Sequence, residues 1–251
     1  MQVQVLKDQL KNLKMMTASQ EVESVLSRHK KAVSLEWLGQ LLELELDARR
    51  ENLTRARIKS ARFPEVKTIE GFNFGFNPQI SESEVKDLTT LDFMKNNGIV
   101  LLLGQPGTGK THIALSLGVL AARAGHRVFC TSAKVLQSEI RKGLRNDCLD
   151  SLFKKILSAK LWIIDDWGVV TFPRDIAEEV FDLFDRRKQS SSLILTSNRA
   201  IEEWPQAFPD LVLANATIDR MFENSKTLFF LGESYRLKGR IQIKEIELNL
   251  E

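Results

Sequence analysis

Cysteine is scarce in this chain, and long apolar runs are missing. Cys130 and Cys148 are its two cysteines in 251 residues, in no spacing that would bind a metal or cycle as a dithiol. A disulfide framework is thereby excluded, and a reducing cytoplasm is the expected location. No stretch of eighteen apolar residues occurs, so no transmembrane helix is expected. The first residues, MQVQVLKDQLKNLK, contain no apolar signal-peptide core behind a basic start. Neither sign of charge dominates, with a formal net charge of +3. Such a balance permits nucleic-acid binding without demanding it, so any case for DNA rests on local clusters. His29 and His126 stand alone without ligand spacing. Internal repeats and low-complexity segments are absent. The apolar fraction of 43% is ample for a buried core.

Against this background one motif stands out. Gly104-Gln105-Pro106-Gly107-Thr108-Gly109-Lys110-Thr111 is a complete phosphate-binding loop. Gly98-Ile-Val-Leu-Leu-Leu103 before it reads as a buried parallel strand, and residues 111–123 after it carry apolar residues at helical spacing. The loop thus sits between a strand and a helix N-terminus. Its glycines let backbone N–H groups wrap around phosphate oxygens, and the helix dipole adds partial positive charge. Lys110 supplies a point charge for the β and γ phosphates, and Thr111 a hydroxyl for Mg²⁺. His112, next in line, reads as a packing or hydrogen-bonding residue of the same segment rather than a catalytic one. The reading is a nucleoside triphosphate site.

Elsewhere the pattern alternates. Strands are expected near 98–103, 127–130, 161–164, 192–196 and 227–231, with helices over 110–124, 133–144, 148–158 and 175–188. The class is α/β, a parallel sheet sandwiched by helices, with its ligand at the carboxyl ends of the strands. Residues 1–66 form a separate small unit: Val3, Leu6, Leu10 and Leu13, then Leu35, Leu38, Leu41, Leu42 and Leu46, recur at helix spacing. Phe63-Pro-Glu-Val-Lys67 reads as a linker, and residues 67–251 as the nucleotide-binding core.

The strand Leu161-Trp-Ile-Ile164 ends in Asp165 and Asp166. A carboxylate at the tip of a strand beside the phosphate loop can hold the Mg²⁺ shell, assigned to Asp165. A second can accept a proton from the attacking water, assigned to Asp166. Asn198, closing Leu193-Ile-Leu-Thr-Ser-Asn198, can reach the γ-phosphate or orient that water. Trp162 and Trp204 are read as anchors of the core, as is Trp37. Trp167 is given no role. Phe72, Phe74 and Phe76 are assigned to core packing, with adenine stacking as the alternative.

The order of phosphate loop, strand-Asp-Asp and strand-Thr-Ser-Asn resembles the AAA+ ATPases. Finer features narrow it: Ala61-Arg-Phe-Pro64, Thr68-Ile-Glu-Gly-Phe-Asn-Phe74, Ile164-Asp-Asp-Trp-Gly168, Ala216-Thr-Ile-Asp-Arg-Met-Phe222 and Gly232-Glu-Ser-Tyr-Arg236. Together with the loop they resemble the IstB family, ATPase helpers of insertion-sequence transposases and relatives of DnaC-type helicase loaders. The resemblance covers roughly residues 20 to 240. It implies ATP and Mg²⁺ as cofactors, ATP-dependent self-association, duplex DNA as a partner, assistance to a transposase, and no membrane. It implies that Arg220 is an arginine finger reaching a neighbouring subunit's site and Arg236 a sensor in its own subunit. A planar, permanently charged guanidinium suits charge on a transferring phosphoryl group.

Two features depart from the wider AAA+ pattern. Asp166 stands where many members have Glu, one methylene longer, so the water is held differently. Only residues 237–251 follow Arg236, too few for a separate helical lid. Two rival functions remain: a helicase loader acting on single strands, and an ATP-bound scaffold with little turnover.

Two basic clusters are candidates for DNA. Arg49, Arg50, Arg55, Arg57, Lys59 and Arg62 either line a phosphate backbone or solvate a helix face balanced by Glu43, Glu45 and Asp47. Lys134, Arg141, Lys142 and Arg145 form the second. Aromatic residues do not interleave with them, so backbone contact with duplex is expected rather than base stacking.

Overall fold

A computed structural model describes residues 3–28, 36–188 and 190–237. His29 and Leu35 lie outside the described residues, as do the side chains of Trp37 and Leu41. The chain forms two compact units, Met1–Ala56 and Arg57–Glu251.

In the first unit, α1 (Val3–Asn12) and α2 (Met16–Ser27) precede the long α3 (Glu36–Ser60). Leu6, Leu10, Leu13 and Leu42 form its small buried core, as the helical spacing requires. Ser19 is buried there and donates to Lys7 O at 3.0 Å, which satisfies its hydroxyl.

The second unit begins with the end of α3 and continues through α4 (Glu82–Thr89), β1 (Ile99–Gly104), α5 (Lys110–Arg123) and β2 (Val128–Ser132). After these come α6 (Ala133–Arg145), α7 (Leu149–Leu157), β3 (Leu161–Trp167), α8 (Arg174–Arg187), β4 (Ser192–Ser197), α9 (Leu211–Phe222) and β5 (Ser225–Phe230). The five strands are all parallel, in the order β2-β3-β4-β1-β5. Alternate residues of each strand enter different cores, as period-2 geometry requires. Leu101, Leu103, Trp162, Ile164, Leu193 and Leu195 pack against α6 to α9. Val100, Leu102, Val128, Ile163 and Ile194 pack against α4 and α5 on the other face. Both faces are covered, which is why the strands read as continuous apolar runs. Side-chain caps fix where helices begin: Ser132 Oγ accepts from Val135 N at 3.3 Å, and Asp210 Oδ1 from Leu213 N at 2.9 Å.

Residues 57–66 belong to this second unit by packing. Ala61 is fully buried, and its carbonyl accepts from Cys130 N at 2.8 Å along the open edge of β2. Phe63 sits over Gly118 of α5, where an added Cβ would collide with it. The stretch expected to be a linker is docked instead, covering an edge strand and filling a gap over a helical glycine.

Candidate nucleotide site

The phosphate loop folds at the carboxyl end of β1, where the parallel sheet leaves a crevice. Gly107 and Gly109 have φ of +80° and +104°, left-handed values that L side chains rarely take. A Cβ at Gly107 would run into Ser234, and one at Gly109 into the Phe72 ring. Glycine is therefore required twice, for conformation and for close approach. Lys110 is 5% exposed and donates to the carbonyls of Gly104 at 2.9 Å and Gln105 at 2.6 Å. Burial depresses its pKa to about 8, against the opposing pull of Asp166 and Asp165. Its charge is held inside the loop, ready to exchange carbonyls for phosphate.

Asp165 and Asp166 sit in a β-bulge. Ile164 pairs with Leu195 and Trp167 with Ser197, so both aspartates oppose Thr196 alone. Asp166 takes φ of +57°, uncommon for a residue other than glycine. The bulge turns consecutive carboxylates toward one space, which a regular strand would send to opposite faces. Thr196 fastens it: its hydroxyl donates to Asp165 Oδ1 at 2.6 Å and accepts from Asp166 N at 3.1 Å. Thr111 donates to the same Asp165 oxygen at 2.8 Å. Asn198 Nδ2 donates to Asp166 Oδ1 at 3.3 Å. Desolvation, then Asp165, push the Asp166 carboxyl above the ordinary range, with Arg236, Lys110 and Asn198 opposing.

Asp165, Asp166 and Asn198 line one cavity of about 460 Å³, together with Pro106 to His112 of the loop and Arg236. Gly104 and Gln105 lie behind it and act through their carbonyls. Its remaining walls come from Glu65, Lys67, Phe72, Asn73, Phe76 and Asn77 and from Tyr235; Phe72 and Phe76 are rings for which the sequence offers adenine stacking as the alternative to core packing, and it gives the others no site role. Asn77 Nδ2 holds Glu233 O at 3.1 Å, and Tyr235 N holds Gly107 O at 2.9 Å. Phe76 and Tyr235 meet edge to face with ring centroids 5.0 Å apart. Phe72 and Phe74 pack on the sheet's α5 side as expected, yet Phe72 and Phe76 also face the cavity. His112 Nε2 lies 2.8 Å from Thr68 O and ties that wall to α5.

Behind the site, Trp167 is fully buried among Phe172, Phe184, Trp204 and Phe208. Ser197 Oγ, which sequence reasoning also missed, donates to Trp167 O at 2.9 Å and accepts from Trp204 Nε1 at 3.2 Å and Arg199 N at 3.1 Å. That hydroxyl fixes the turn carrying Asn198.

Arg220 does not line the cavity. At the end of α9 it donates to Asp185 at 2.9 Å and Asp219 at 3.3 Å. The first basic cluster is largely engaged within the chain. Arg49 pairs with Glu45 at 2.7 Å and reaches Leu13 O, Arg50 pairs with Asp47 at 3.0 Å, and Arg55 pairs with Glu51. Arg62 pairs with Glu139 at 2.6 Å and lies over the Phe129 ring. Arg57 and Lys59 form no ion pair among the described residues, nor do Lys134, Arg141, Lys142 and Arg145, all four exposed on α6.

The profile of IstB-like ATP binding proteins matches residues 5–243. The chain belongs to that family. It is 40% identical over 233 residues to the insertion sequence IS21 putative ATP-binding protein of Pseudomonas aeruginosa, covering 92% of this chain and 88% of that one. It is 33% identical to the insertion sequence IS5376 putative ATP-binding protein of Geobacillus stearothermophilus, covering 82% of each. Among solved structures, the DnaC helicase loader superposes with a TM-score of 0.52 at 16% identity, over 59% of this chain and 87% of that one. The likeness identifies the AAA+ P-loop fold. The family is one of ATP-binding proteins.

A magnesium ion fits the donors present. Thr111 Oγ1 and the Asp165 carboxylate meet at the loop's end, a sparse protein shell suited to an ion that keeps water and phosphate ligands. Among the described residues no cluster of three His, Cys, Asp or Glu could hold a metal, so a site built wholly of such side chains is absent. No helix among them is long and apolar enough to cross a membrane.

Proposed function

We propose that this chain hydrolyses ATP, assembles with copies of itself on duplex DNA, and serves a transposase there. The observation that carries the reading is the convergence of Lys110, Asp165, Asp166, Asn198 and Arg236 on one cavity, with Arg220 outside it. Lys110 and the loop amides bind the phosphates. Thr111 and Asp165 would hold Mg²⁺, which would neutralise phosphate charge. Asp166 accepts the proton of the attacking water, and Asn198 orients water and carboxylate together. Arg236 faces the γ-phosphate of its own subunit. Arg220 completes a neighbour's site, so assembly and turnover depend on one another. The insertion-sequence origin of the relatives supports a transposase as the partner.

For DNA, α6 is the stronger surface. Lys134, Arg141 and Arg145 are spaced by seven and four residues and so share a stripe, with Lys142 beside it. Among the described residues these cations pair with no carboxylate, unlike Arg49, Arg50, Arg55 and Arg62. The test is ATP turnover and sedimentation with Mg²⁺ and either duplex or single-stranded DNA. Turnover and large assemblies on duplex are expected. ATP binding without turnover on any DNA would leave only a scaffold, and a single-strand requirement would favour a helicase loader.

A further inference from the structure

Arg220 is not a free side chain on the surface of α9. Its Nε donates to Asp185 Oδ1 at 2.9 Å, and one terminal nitrogen donates to Asp219 Oδ2 at 3.3 Å. The other terminal nitrogen has no partner among the described residues, and the side chain is 31% exposed. Asp185 lies in the last turn of α8, and its neighbours anchor that turn. Arg187 is buried and donates to Asn97 O at 3.3 Å and Ser191 O at 2.7 Å. Lys188 pairs with Glu223, the C-cap of α9. The carboxylate of Asp185 therefore stands on a fixed platform beside a long side chain that would otherwise sample many rotamers.

We infer that Asp185 is a positioning residue for Arg220, holding the inner nitrogen of its guanidinium so that the outer end is presented to the adjoining subunit. This rests on the reading of Arg220 as a group that acts in the neighbour's site. Carboxylates that parked the arginine in an inactive pose would occupy both terminal nitrogens of the fork. Here Asp185 takes Nε and Asp219 one terminal nitrogen, and the other terminal nitrogen remains for phosphate oxygen. The distinction matters because an exposed ion pair joining two helices would by itself contribute little. The value of this one lies in geometry delivered across an interface, where small misplacements are costly in rate.

The experiment mixes subunits. Acceptors carry Arg220→Ala, with an intact loop and no finger. Donors carry Lys110→Ala, with a finger and no working loop, and are made with Asp185 intact or changed to Ala or Asn. Donors with Asp185 should restore ATP turnover to the acceptors. Asp185→Ala donors should restore about tenfold less, at unchanged melting temperature and unchanged KM for ATP. Asp185→Asn donors, whose amide oxygen still accepts from Nε, should restore within about twofold of the intact donor. Equal restoration by the alanine donor overturns the inference while leaving Arg220 in its role, and greater restoration would mean that Asp185 restrains the finger. If the alanine donor melts early, the asparagine donor decides: restoration no better than alanine overturns the inference. No restoration by the donor with Asp185 intact removes the reading of Arg220 itself, and the inference with it.

Discussion

Thr111 and Asp165 are joined by a hydrogen bond of 2.8 Å between the first turn of α5 and the bulge of β3. Thr196 donates to the same carboxylate oxygen at 2.6 Å. Two hydroxyls on one charged acceptor are worth more than neutral bonds, about 1.5–3 kcal/mol each. They aim the carboxylate before any ion arrives. Thr111→Val removes one hydroxyl at nearly constant volume. ATP affinity measured by calorimetry with Mg²⁺ should fall about tenfold or more. Affinity in excess chelator should change little. An equal loss in both titrations would assign Thr111 to phosphate binding alone.

Lys110 connects ATP binding to pH. With its pKa lowered to about 8, it is charged below pH 8 and increasingly neutral above. Phosphate favours the charged form, so binding above pH 8 requires proton uptake. Affinity should hold from pH 7 to 8 and then fall by up to about tenfold per pH unit, since each pKa unit is worth about 1.36 kcal/mol. Calorimetry in two buffers of different ionisation enthalpy would register the proton. A flat affinity between pH 8 and 9.5 would mean that the loop's amides, not Lys110, dominate. Lys110→Ala should lose binding at every pH.

Asp166→Asn should bind ATP normally and lose turnover by about 100-fold or more, because an amide cannot accept the proton. Its carboxyl is raised above the ordinary range, so the sign of the wild-type pH profile follows: turnover is full where Asp166 is ionised and falls as pH drops through its elevated pKa. The acid limb should therefore lie above the usual aspartate value of 3.8 and be absent from what activity remains in the Asn variant. Turnover of the variant at the wild-type rate would pass the role to another group.

How far the sequence led depends on how local each signal was. The phosphate loop, the Asp165–Asp166 pair and Asn198 are contiguous motifs whose spacing fixes their chemistry, and the apolar runs mark all five strands to within a few residues. The bulge was not legible. Nothing in Asp165-Asp166-Trp167 says that Thr196, on another strand, will face both aspartates. The wall made by Phe76, Asn77, Glu233 and Tyr235 joins segments from the two ends of the ATP-binding unit, and no local pattern announces it. The partners of charged side chains are equally illegible. Arg62 looked like part of a basic stripe, but its partner Glu139 is distant in sequence, and the pair with the Phe129 ring beneath makes it a docking residue.

The ion pairs of the first cluster make α6 the surface to test first for DNA. Replacing Lys134, Arg141 and Arg145 together with Ala should weaken duplex binding and reduce the slope of log affinity against log salt by up to about 3 units, near 0.9 per phosphate contact. ATP affinity should stay unchanged, because α6's exposed stripe lies outside the cavity. Replacing Arg55, Arg57 and Lys59 should reduce the slope less. Arg55 already neutralises Glu51, and removing it also frees that carboxylate to repel phosphate. In such a variant affinity can fall without a matching loss of released counterions, so the slope, not the affinity, separates contact from repulsion. Losses should be similar across DNA sequences, since phosphate contacts carry no direct base information. A slope reduced by the α3 triple and untouched by the α6 triple would return the DNA surface to the first cluster.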